Sequence, residues 1–233
     1  MNIDKNTAVG QIAALDENIR KYFEKINIDY CCNGHLNISE VLESMSLSFT
    51  EVTNEINKIL NSQNKKNGIK FNAEKLGNIE LSDYIVNRHH KFLRDNFPLI
   101  QEKLNKVSVA HHENHGGQLN TLKKYFLKLR NELLKHLDKE EELLFPVIKK
   151  HSENKDYPAE IFPLIEELKT EHSTTGDEFL IIKNITDNYH VPNDACLTFK
   201  SLYQDLMSLE QDIHEHIHLE NNILFERISN TKK

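Results

Sequence analysis

Cysteine is scarce in this 233-residue chain: Cys31 and Cys32 are adjacent, and Cys196 stands far from both. Three thiols so placed make no disulfide framework and no thiolate metal cage, and they agree with a reducing compartment. Tryptophan is absent, and glycine (7) and proline (5) are few. The two Asn-Gly pairs, Asn33-Gly34 and Asn67-Gly68, are not flanked by alternating apolar residues, so hairpins are not supported. Apolar runs stop after about five residues, far short of the ~20 that a membrane span needs. Met1-Asn2-Ile3-Asp4 lacks the basic region of a secretory signal, so the expected address is the cytoplasm. The net charge is -7 and evenly spread, with no basic stripe to neutralise phosphates. Neither nucleic acid nor an anionic membrane is expected as a partner.

What remains is an all-α chain. In the first 60 residues apolar positions recur at helical spacing, as in Ile19, Tyr22, Phe23 and Ile26, or Val52, Ile56, Ile59 and Leu60. Thr7, Asp16, Asn37 and Ser48 are candidate N-caps, the last two with Glu three residues on. Asp29 to Gly34, carrying Cys31 and Cys32, reads as an interhelical loop. The expected organisation is a small N-terminal helical domain over 1–62, a polar linker over 63–78 and an antiparallel four-helix bundle over 79–233. Loop signals at His111–Gly117, Ser152–Pro158 and Tyr189–Asp194 divide the bundle into helices near 79–107, 118–151, 158–188 and 195–229. Pro98 and Pro146 should kink or shorten two of them.

The residue present in excess is histidine: 13 in all, 12 of them after residue 88. Two segments match, His136 with Glu140 and His216 with Glu220. In each, His and Glu stand one helical turn apart on one face, and a Phe follows the Glu by five (Phe145, Phe225). The pairing alone is weak, since chance gives about two such His-acid pairs and the chain holds three, the third (His190 and Asp194) spanning Pro192.

The larger pattern is stronger. In an antiparallel hairpin, residues equally far from the turn share a height. His90 and His136 have their midpoint at 113, His136 and His172 at 154, His172 and His216 at 194, each at an expected turn. One His per helix therefore meets at one level, with Glu140 and Glu220 a turn away, in a pseudo-twofold array. Four imidazoles and two carboxylates are too many for one tetrahedral zinc but fit two octahedral metals, and imidazole with bridging carboxylate suits iron. A single inward His is more often a hydrogen-bonded core residue than a ligand; six residues meeting at one level argue otherwise.

His89 competes with His90, which helix phase favours because it shares a face with Val86, Leu93 and Phe97. His111, His112 and His115 fall about 27 to 30 Å from that level along straight helices. His112 to His115 is one residue short of the zincin motif. A ferritin-like site would need two Glu-x-x-His pairs, and only Glu215 with His218 matches. His214 and His218 are expected at the surface more than behind the ligands.

These residues resemble the hemerythrin-like di-iron bundles. More closely, the Cys31-Cys32-Asn33-Gly34 loop followed by a bundle ending in His214 to Asn222 is similar to the repair-of-iron-centres family, the ScdA-type iron-sulfur cluster repair proteins, over nearly the whole chain. The resemblance implies a hemerythrin-like bundle and two iron ions with an oxo bridge on His90, His136, Glu140, His172, His216 and Glu220, the two Glu bridging. It extends the histidine signature to His111. It implies repair of clusters in iron-sulfur proteins damaged by nitrosative or oxidative stress, by iron donation or by nitric oxide chemistry. The alternative is a hemerythrin-like protein that binds or senses dioxygen or nitric oxide. A homodimer is compatible with the long bundle. Cys31 and Cys32 are either reactive thiols, their thiolate favoured by the helix starting near Asn37, or an unreactive buried pair. The chain departs from the family at Asn33, where glycine is common, and at Phe145-Pro146, which answers to Phe225-Glu226.

Overall fold

Buried apolar residues three or four apart run the length of each long helix. A computed structural model describes residues 3–63 and 73–231, and these fall into two compact units, 1–77 with 217–233, and 78–216. Among the described residues there is no strand, only an isolated bridge between Ala8 and Asn37, so the all-α expectation holds. Of the expected linker 63–78, residues 64–72 lie outside the described residues; Ala73–Lys75 form a single 3-10 turn.

In the first unit, α1 (Val9–Ala14), α2 (Glu17–Lys25), α3 (Ile38–Ser44) and α4 (Phe49–Gln63) are short. Two of the expected caps form. Asp16 Oδ1 accepts from the Asn18 amide at 2.8 Å, and Ser48 Oγ accepts from the Glu51 amide at 3.4 Å. Asn37 stands at the N-cap of α3 without a side-chain cap bond, and α1 follows Ala8 rather than Thr7. Helix α2 stops at Asn27, whose φ of 56° is left-handed. The Ile28 amide reaches back to Phe23 O at 2.8 Å and the Asn27 amide to Glu24 O at 3.1 Å, a Schellman stop that buries Ile28 beside Phe23. The chain then enters the Cys31-Cys32 loop.

The second unit is the bundle. It comprises α5 (Asn78–Ile85), α6 (Lys91–Ala110), α7 (His112–Lys139), α8 (Phe145–His151), α9 (Ile161–Ile185) and, as far as His216, α10 (Leu197–Leu219); α11 (Phe225–Ser229) follows in the chain. Buried Leu122, Phe126, Leu129, Leu133 and His136 form one stripe of α7, and Ile161, Ile165, Leu168, His172, Thr175 and Phe179 one stripe of α9. The histidines thus occupy core positions of the same repeat that drives helix packing, each buried Leu, Ile or Phe contributing about 1.5–3 kcal/mol.

Two details differ from the expected helix bounds. The loop expected over His111–Gly117 contracts to His111 alone, because Gly116 and Gly117 are tolerated inside α7. Three of the long helices are also not purely α: five-residue π-helical turns stand at Val86–His90, Glu140–Leu144 and Glu220–Leu224. Each closes with an i to i-5 amide bond, Lys91 to Val86 O, Phe145 to Glu140 O and Phe225 to Glu220 O. Pro146 follows the second π turn directly, at the start of α8, where its missing donor is harmless. Pro98 sits within α6.

Candidate metal centre

All six residues expected at one level are buried: His90, His136, Glu140, His172, His216 and Glu220. They arrive as two imidazole pairs. His136 Nε2 faces His172 Nε2 at 2.9 Å, and His90 Nε2 faces His216 Nε2 at 3.2 Å. Two ligands of one ion stand ~2.9–3.4 Å apart when the bonds are about 2.0–2.1 Å, so each pair is spaced for a common cation.

Glu140 stands between the pairs with its oxygens divided. Oε1 lies 3.3 Å from His136 Nε2, whereas Oε2 lies 3.3 Å from His90 Nε2 and 3.8 Å from His216 Nε2. Neither oxygen has a hydrogen-bond partner, although the side chain is fully buried. Burial alone would push the Glu140 carboxyl up, but the His136, His90 and His216 imidazoles hold it well below the usual carboxylate range, so it is an anion. Within the bundle unit the donors form two groups, His90, Glu140 and His216, and His136, Glu140 and His172, with ligand atoms within 4.8 Å of one another; Glu220 follows one turn beyond His216 along the chain. A buried carboxylate whose oxygens have no hydrogen-bond donor, facing imidazole nitrogens that meet in two close pairs, fits a transition metal and fits poorly as a hydrogen-bonded core.

One histidine of each pair has an outer carboxylate against its Nδ1. His90 Nδ1 bonds Glu141 Oε1 at 2.8 Å, and Glu141 also accepts from Arg94 at 3.0 Å. His136 Nδ1 bonds Glu171 Oε2 at 2.7 Å, and Glu171 also accepts from Lys139. The His136 bond and the Lys139 ammonium, working against partial burial, bring the Glu171 carboxyl down to about 2. With Nδ1 donating to each carboxylate, the Nε2 of His90 and of His136 faces inward.

Of the other histidines, His89 is fully buried behind the level, stacked on His216 at 5.8 Å and 3.2 Å from Asp212 Oδ2, so His90 rather than His89 joins the donor groups. His111 is not among them. His218, expected at the surface, is instead completely buried. It stacks edge-on against Tyr30 at 5.6 Å, and Asn222 Nδ2 donates to its Nδ1 at 3.0 Å. Burial, with Arg20 adding, pushes this imidazole down to about 3. Its offset of four from Asn222 was legible in the sequence; its partner Tyr30 was not.

The thiol loop is organised by Asp29. Its Oδ1 accepts from the amides of Cys31 (3.1 Å) and Cys32 (2.9 Å) and lies 3.3 Å from Cys31 Sγ, while Oδ2 accepts from Asn33 Nδ2 at 2.7 Å. The two sulfurs are free thiols 3.7 Å apart. Asn222 Nδ2 donates to Tyr30 O at 2.9 Å and Asn221 Nδ2 to Cys31 O at 3.2 Å. Gly34 leaves room for the Asn222 side chain, which a Cβ would meet. The expected helix-dipole activation does not reach Cys31: its hydrogen bond with Cys32, burial and the Asp29 carboxylate raise its thiol well above the ordinary value.

Comparison with known proteins agrees with this architecture. The hemerythrin HHE cation-binding domain matches residues 82–228, and the ScdA_N domain, a domain of unknown function, matches 5–60. The chain is 32% identical to the iron-sulfur cluster repair protein ScdA of Staphylococcus haemolyticus, covering 89% of this chain and 90% of that protein. It is 32% identical to the iron-sulfur cluster repair protein YtfE of Enterobacter sp. (strain 638), covering 88% of each. It is 30% identical to YtfE of Escherichia coli O81, covering 96% of each. With a buried His-Glu centre in a four-helix bundle, a Cys-Cys domain ahead of it and relatives matched along nearly their full length, the chain belongs to the hemerythrin HHE-containing family of ScdA and YtfE iron-sulfur cluster repair proteins.

Proposed function

We propose that this chain repairs iron-sulfur clusters damaged by nitrosative or oxidative stress, using a pair of irons. His136 and His172 would hold one iron and His90 and His216 the other, with Glu140 and Glu220 as bridging carboxylates. The observation that carries this reading is the division of Glu140, one orphaned buried oxygen toward each imidazole pair. Bound iron would supply exchangeable metal and open coordination positions for nitric oxide or dioxygen, with an oxo bridge in the oxidised state. The protein keeps Glu140 ionised and both pairs of Nε2 lone pairs aimed inward. Few carboxylates in a histidine-rich set leave the irons releasable, which suits donation to a damaged cluster.

Cys31 and Cys32 are assigned as the thiol pair that acts on the damaged client. Held by Asp29 with sulfurs 3.7 Å apart, they can ligate one iron together or exchange with a nitrosyl group. Free thiols of this kind suit a reducing compartment such as the cytoplasm.

Metal analysis of protein grown with iron should find about two irons per chain, as the shared carboxylates require, with the visible absorption of an oxo-bridged pair; His136→Ala combined with Glu220→Ala should remove both. Protein that stays metal-free under those conditions refutes the reading. A Cys31→Ala, Cys32→Ala variant should keep its iron and lose the ability to restore a nitric oxide-damaged iron-sulfur enzyme. Full repair by that variant removes the thiols from the mechanism. Gas binding without any repair by the native chain would favour the dioxygen or nitric oxide carrier.

A further inference from the structure

The far end of the bundle holds a second convergence of donor groups. His111 sits between α6 and α7, His115 lies in the first turn of α7, and Asp194 and Cys196 lie in the segment leading into α10. One ligand atom from each of His111, His115 and Asp194 lies within 4.8 Å of the others. His115 Nε2 is 2.9 Å from Asp194 Oδ1, the spacing of adjacent ligands on one ion when the bonds are about 2.0–2.1 Å.

The group is also braced. Asn114 Nδ2 donates to Asp194 Oδ2 at 3.0 Å, fixing the carboxylate with its other oxygen toward His115. The rings of His111 and His115 both meet the edge of Phe199, at 5.2 and 5.6 Å, and Phe199 is fully buried. Outer contacts that lock ligand orientation are what metal sites require. The donors remain reachable, with the Asp194 side chain 47% exposed.

We propose that His111, His115 and Asp194 form a second, mononuclear site for a divalent cation of the zinc class. Two imidazoles and one carboxylate are the three protein ligands of an open zinc site, whose fourth position is left to water. The site lies about 30 Å from His136 at 1.5 Å per residue along α7, so it is separate from the His-Glu centre. A cation there would tie the α6–α7 turn to the segment before α10, closing one end of the bundle.

The test is a titration of the iron-loaded full chain with Zn²⁺ against a chromophoric chelator. One equivalent should bind without release of iron, and His115→Ala and Asp194→Ala should each abolish it while the visible spectrum of the iron centre stays unchanged. Asn114→Ala should weaken it about tenfold, the cost of losing an outer contact. Glu140→Ala protein should still take the equivalent, so the result does not depend on the iron centre. The proposal is overturned if no equivalent binds, if it binds only by displacing iron, or if the His115 and Asp194 variants keep it.

Discussion

A buried carboxylate with no hydrogen-bond donor is costly unless a cation compensates it, and Glu140 meets that description in a shell of imidazoles. Glu141 and Glu171 serve it indirectly, by fixing the rings of His90 and His136 through Nδ1. Glu141→Ala and Glu171→Ala are each expected to weaken iron binding about 10- to 100-fold with helical content unchanged, read by competition with an iron chelator; unchanged affinity in both would show that ring orientation is set elsewhere. Cys31 gives a second prediction. Because its thiol is raised by Cys32, burial and Asp29, it should be the last of the three cysteines alkylated at pH 8, and its reaction should accelerate only above pH ~9, past the ordinary thiol value. The sign for stability follows: with the folded value above the unfolded one, the loop's contribution is complete at neutral pH and is lost as pH rises beyond that range. Mass mapping of the alkylated sites against pH reads both, and early labelling of Cys31 would refute the order.

At the scale of elements, the π turns bring the centre into register. His90 ends one, Glu140 begins another and Glu220 begins the third, in keeping with the frequent use of such turns at functional sites. The extra residue lets a helix that has placed His136 and Glu140 inward also place Leu144, Phe145 and Ile148 in the core. Inserting one alanine after exposed Leu143 should rotate everything after it by about 100°. The expected loss is that of a buried aromatic, about 3–5 kcal/mol, whereas Leu143→Ala should stay within about 0.5 kcal/mol. Thermal unfolding distinguishes them, and equal midpoints would show that the core beyond the π turn tolerates a change of phase. The five-residue offset from Glu to Phe in both repeats was visible in the sequence, and it is one turn of a π-helix. Amphipathic spacing alone cannot reveal this, because the same residues also satisfy an α-helical stripe when taken three and four apart.

For the whole molecule, both chain ends belong to one compact unit, 1–77 with 217–233. Arg227 bonds Leu76 O at 2.8 Å and Glu74 O at 2.9 Å, and Asn222 holds the backbone of Tyr30. A fragment ending at residue 77 should therefore lack cooperative thermal unfolding by circular dichroism and label Cys31 readily, while the full chain protects it. A fragment that melts cooperatively would show that the N-terminal helices need no C-terminal segment.

Periodicity, turn residues and equal distances about the turns sufficed, from sequence alone, for an all-α chain, for the helices of the bundle and for six inward residues at one height. These are local or one-dimensional properties, since helical phase and rise convert residue number directly into face and height. Three matters were decided only by the tertiary structure. Imidazoles paired as His136 with His172 and His90 with His216, His218 was buried against Tyr30, and His111 and His115 met Asp194. Each depends on which side chains meet across distant segments, and spacing along the chain carries no record of that.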